Sequence, residues 1–159
     1  MRACNLNKTL FFLLTFYFLL SCGYQPILNK ENQKFSIVKF TLEGNKRLSG
    51  LLKNNLITSK KEENKLNLTI KSNKKTAVDN KSETGKILQY AVSVEFDIVA
   101  VSNVDNKIVF SRVYSRRLIY SASDVYLDTM NQEKKVVGSI IESVASEIQI
   151  GLNSIYQEQ

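Results

Sequence analysis

The sequence predicts an α+β fold: a two-layer sandwich in which a four-stranded mixed sheet is covered by two helices, in the order β-α-β-β-β-α. Three observations carry that prediction. Leu88, Tyr90, Val92, Val94, Phe96 and Ile98 alternate with Gln89, Ser93, Glu95 and Asp97, the period of a long strand with one buried and one wet face. Val137, Ile141, Val144, Ile148, Leu152 and Ile155 share one stripe of a long helix. Leu48, Leu51, Leu52 and Leu56 form a second, shorter stripe at helical spacing. A sheet with one apolar face needs a cover, and two amphipathic helices supply it.

The chain opens on Arg2 and Lys8, followed by an uncharged run from Leu10 to Leu20 that closes on Ser21. Spanning a bilayer takes roughly 20 apolar residues, so this run has the length of a secretory signal peptide, residues 1–21, and not of a membrane helix. Leu19-Leu20-Ser21-Cys22 resembles the bacterial lipobox. That resemblance implies cleavage before Cys22 and a diacylglycerol on its thiol, with an N-acyl chain completing the anchor. Two or more chains hold a protein stably at a membrane where one does so only marginally. Residues 22–33, with the only proline and no periodicity, form a leash, and residues 34–159 are of a size for one domain.

Composition narrows the chemistry. Cys4 leaves with the signal and Cys22 carries lipid, so no thiol remains to pair or to attack. There is no histidine, the commonest general base near neutral pH and the commonest metal ligand. Neither a G-x-S-x-G elbow nor a glycine-rich phosphate loop is present. No enzyme activity, metal or cofactor is therefore expected beyond the covalent lipid on Cys22.

Charge is uneven. Lys30 to Lys86 holds fourteen Lys or Arg against six Asp or Glu, a net +8, whereas Ile87 onward holds six against nine, a net −3, leaving +5 on residues 22–159. A basic front half suits an anionic partner such as a membrane surface or a phosphorylated glycolipid, or is a solvated face. Nucleic acid is not expected as a partner of an exported lipoprotein.

The elements follow in order. Phe35 to Leu42 reads as a first strand with Phe35, Ile37 and Phe40 facing inward. At Gly44-Asn45 the period changes to that of the short leucine helix, with Asn45 as its N-cap. "TSKKEENK" is a charged turn, after which Leu66, Leu68 and Ile70 alternate as a second strand. "KSNKKTAVDNKSETGK" is expected as a long, mobile, basic hairpin loop. The strand from Ile87 turns at "SNVDNK" and returns from Ile108 to Tyr120, with Ile108, Phe110, Val113, Leu118 and Ile119 inward and a phase slip near Arg112 that implies a bulge or an edge. Arg112, Arg116 and Arg117 on this strand are placed either to bind phosphate or to pair with Glu95 and Asp97. The closing helix runs from Asp124 to about Tyr156, capped by Ser123 or Asp124.

Taken together, "CGYQP" at the lipidated start, the β-α-β-β-β-α order, the strand ending "RRLIYSASDVY" and the helix ending "IQIGLNSIY" resemble the LPS-assembly lipoprotein LptE family. The resemblance implies a lipid-anchored protein on the periplasmic face of the outer membrane, and Gly23 after the cysteine agrees with that sorting. It implies that the domain plugs an LptD-type outer-membrane β-barrel, supports its assembly and aids delivery of lipopolysaccharide to the cell surface. Lys74, Lys75, Arg116 and Arg117 are the residues expected to engage lipopolysaccharide phosphates. The alternative is a periplasmic lipoprotein that activates or scaffolds another envelope machine, a peptidoglycan synthase or a lipid-transport ABC system. The leash of about a dozen residues, reaching at most roughly 40 Å, favours a partner at the membrane.

Overall fold

A computed structural model describes residues 33–57 and 64–156. The signal peptide, Cys22, the leash up to residue 32 and most of the charged turn lie outside the described residues. The elements are β1 (Ser36–Gly44), α1 (Lys46–Asn55), β2 (Lys65–Lys81), β3 (Ile87–Ser102), β4 (Ile108–Ser121) and α2 (Tyr126–Ile155). The sheet order is β1-β2-β3-β4, with β1 parallel to β2 and the remaining neighbours antiparallel. The predicted α+β architecture is therefore present, with both helices on one side of a mixed sheet.

The two periods explain why. In β2 and β3 the residues Leu66, Leu68, Ile70, Val92, Val94, Phe96, Ile98 and Ala100 are all buried, and Leu48, Leu52, Val144, Ile148 and Leu152 of the helices close over them. β1 reconciles Phe35 with Phe40 and Leu42 through a register shift between Ile37 and Lys39, which turns Val38 out at 57% exposure and lets an odd-numbered start and an even-numbered finish face one core. Asn45 caps α1 as expected, its side chain accepting from the Leu48 N–H at 3.1 Å. Where β1 hands over to α1, Gly44 sits at φ +68° and a Cβ there would stand 2.3 Å from the Ser72 carbonyl oxygen. The hydroxyls of buried Ser49 and Ser72 lie 2.7 Å apart and within 3.1 and 2.9 Å of the Glu43 and Asn45 carbonyl oxygens, so one of them donates to the other and the other to a main-chain carbonyl at this junction.

Five expectations are corrected. The basic segment foreseen as a mobile loop is strand: β2 continues to Lys81, every residue from Ser72 to Val78 pairs with β3, and only Ser82 to Lys86 turns. Its polar side chains carry no burial signal, but β3 offers it a continuous ladder, and satisfied backbone decides the outcome. On β4, Ile108, Val113, Leu118 and Ile119 are exposed, and Tyr114 and Tyr120 are the buried residues. No phase slip occurs at Arg112, because residues 110 to 120 pair in unbroken register and the irregularity falls between Ala100 and Val101. β4 is the edge strand that the pattern also allowed. Leu51 is 44% exposed, on the flank of its stripe. Finally, α2 begins at Tyr126 without a side-chain cap; Ser123 accepts instead from the Val125 N–H, ahead of the helix.

Candidate functional site

The four predicted basic residues occupy two adjacent rows of the sheet. Lys74 and Arg116 both pair with β3 at Val94 and its neighbours across the ladder, and Lys75 and Arg117 flank Ser93 in the next row. Successive side chains point to opposite faces, so Lys74 and Arg116 project to the helix side and Lys75 and Arg117 to the open side. The structure thus brings them together in pairs and not as one cluster. Within each row the backbones of the two residues stand two strand spacings apart, about 9.5 Å.

Their partners differ. Lys74 Nζ lies 2.5 Å from Glu133 Oε1 and Arg116 Nη2 lies 2.7 Å from Glu147 Oε1, both acids on α2. On the open face Arg117 reaches Asp79 at 2.6 Å, and Lys75 has no carboxylate within salt-bridge distance among the described residues. The pairing considered for these arginines with Glu95 and Asp97 does not form, because Ser115 and Val113 are the residues that oppose those acids. Arg112 lies over the Phe110 ring at 5.9 Å. Exposed ion pairs of this kind are worth about 0–1 kcal/mol, so an external anion can compete for the cations.

Glu133 is the most connected acid. Its carboxylate accepts from Lys74, from Tyr120 OH at 3.0 Å and from Thr76 Oγ1 at 3.4 Å. Partial burial works against its ionisation, but the hydrogen bonds from Lys74 and Tyr120 outweigh it and hold the carboxyl below the usual range. The same contact works the other way on Tyr120, whose hydroxyl is pushed up to about 12, first by burial and then by the neighbouring carboxylate.

Beside this node a groove of about 510 Å³ runs between α1 and α2. Leu48, Leu51, Met130, Val137 and Ile141 give it an apolar floor, Gly138 leaves it open, and Arg47, Lys74 and Lys134 stand on its rim. Its volume is in the range of small-molecule sites. Sequence reasoning found Lys74 but missed Arg47 and Lys134, and the available signal was Leu51, the one leucine of its stripe that the core leaves free. No group of acids, Cys or His that could hold a metal ion occurs among the described residues, and none of their helices is long and apolar enough to cross a membrane.

Among the described residues the fold is a small α+β domain whose sheet is covered on one side only. That architecture recurs in solved bacterial lipoproteins. Rare lipoprotein B from Shewanella oneidensis superposes with a TM-score of 0.53 at 13% identity, over 76% of this chain and 97% of that one. Lipoprotein B from Nitrosomonas europaea gives 0.59 at 10% identity, over 85% and 93%. The minor lipoprotein from Acinetobacter baumannii gives 0.52 at 16% identity, over 76% and 92%. At these identities the likeness is one of fold. No protein-family model matches the sequence, and no curated protein does.

Proposed function

We propose that this chain is an outer-membrane lipoprotein of the LptE type, anchored through Cys22, which plugs an LptD-type β-barrel and supports lipopolysaccharide delivery. The observation that carries this reading is the fold itself, shared over nearly the full length of three bacterial lipoproteins, joined to a lipobox-like Leu19-Leu20-Ser21-Cys22. In this reading the domain binds and does not catalyse. Its open sheet face, which carries Lys75 and Arg117 with hydroxyl and carboxylate residues, meets the barrel wall or lipid phosphates, and the helices keep the sheet rigid.

The test is a mild-detergent pull-down of the tagged protein from outer membranes, with mass spectrometry of what remains bound. A stoichiometric large β-barrel protein is the expected result. Recovery of a peptidoglycan synthase or a lipid-transport ABC component would keep the anchor and overturn the function.

A further inference from the structure

β2 outruns its neighbour. β1 pairs with it only from Lys65 to Ser72, so among the described residues the stretch from Asn73 to Lys81 has a partner on the β3 side and none on the other. All nine residues of that stretch are exposed, and together they present about 30 Å of strand. The direction of the main chain follows from two hydrogen bonds. The Ser72 carbonyl accepts from Asn45 N at 2.9 Å, on the β1 side, and the Lys65 carbonyl accepts from Asn103 N at 2.9 Å, on the β3 side. Even-numbered residues therefore turn their N–H and C=O outward. Lys74, Thr76 and Val78 accordingly line the free edge with six main-chain groups, up to the register shift after Val78.

We infer that this edge is a strand-addition site that takes an extended, acidic segment of a partner protein in the slot beyond the end of β1. Main-chain pairing supplies the affinity in such additions, and side chains flanking the strand select the sequence. Here Lys71, Lys75 and Lys81 lie along β2 with no carboxylate within salt-bridge distance among the described residues, Lys74 is held by Glu133 of α2, and the strand's single acid, Asp79, is already neutralised by Arg117. The charge also decides against a second copy of this chain as the occupant. Residues 73–81 carry Lys74, Lys75 and Lys81 against Asp79, a net +2, so two such edges paired with each other would bring like-charged stretches together, and lysines on an exposed edge are a means of avoiding self-association. What repels another copy attracts an acidic strand. The site stands apart from the barrel-plug reading, since it specifies the chemistry of a segment and not the identity of the partner.

The experiment uses the full chain in detergent and a labelled nine-residue peptide of alternating glutamate and threonine. Anisotropy measures binding, and residue-resolved amide exchange locates it. Binding with slowed exchange at Lys74, Thr76 and Val78 is expected. Thr76→Pro removes an outward N–H that the β3 ladder does not use, a place where sheets tolerate proline. It should weaken the peptide about tenfold, whereas Thr76→Val should bind as the parent does. Circular dichroism checks that both variants are folded. Equal binding by a folded Thr76→Pro, protection elsewhere, equal binding of a lysine-threonine peptide, no binding, or dimerisation of the chain through this edge would each overturn the inference.

Discussion

Lys74 and Tyr120 end on the same carboxylate, that of Glu133, although they stand on strands separated by β3. The contact sets two limbs of a pH profile. Tyr120 holds its proton more tightly when folded, so its contribution is present below the ordinary tyrosine value and is lost as pH rises from about 10 to about 12. Glu133 is held below its ordinary range, so its contribution is present above that range and fades as pH falls through it. Urea unfolding against pH should show Tyr120→Phe with a shallower alkaline loss than the parent. Tyr114 and Tyr156, both raised by burial, keep the remainder.

The two faces of the basic rows are separable by mutation. Lys74→Ala with Arg116→Ala removes cations already bound to α2 acids, and Lys75→Ala with Arg117→Ala removes those on the open face. Lipopolysaccharide binding should fall more for the second pair. Each broken surface ion pair should cost stability by only about 0–1 kcal/mol. Unchanged binding in the quadruple variant would remove these residues from any lipid contact.

Gly44→Ala is expected to be among the most damaging small substitutions. Its positive φ costs a side-chain-bearing residue about 1–2 kcal/mol, and the added methyl would collide with the main-chain oxygen of Ser72, which cannot move without breaking the β1–β2 pairing. Thermal unfolding should place the loss at about 2–3 kcal/mol or more. A variant within 0.5 kcal/mol of the parent, roughly the spread of neutral surface changes, would show that this junction relaxes freely.

Neighbouring leucines of α1 should behave oppositely. Leu52 is fully buried, and Leu52→Ala should cost about 2–5 kcal/mol. Leu51 faces the groove between the helices, so Leu51→Ala should be nearly neutral in a denaturant titration, within roughly 0.5 kcal/mol. Equal losses would place Leu51 in the core.

Element order, the α1 cap and the inward face of β3 were legible because period and apolar residues coincide there. β2 beyond Ser72 was not, since a strand exposed along its whole length has nothing apolar to alternate, and its pairing is dictated by β3. β4 misled for the opposite reason. Its β-branched residues lie on the solvent side of an edge, while two tyrosines, ambiguous by composition, fill the core. The groove escaped notice because it is made by the approach of two helices distant in sequence, and a single-chain pattern records no such meeting.

Every neighbour in this sheet is also a neighbour along the chain, and residues 23–159 contain no cysteine. A polypeptide threaded outward as an unfolded strand can therefore add each strand to the last as it emerges, without waiting for a distant partner or for an oxidant. Only α2 must arrive before the apolar face is closed. The time between synthesis of β4 and docking of that helix is then the interval in which the nascent protein most needs an escort.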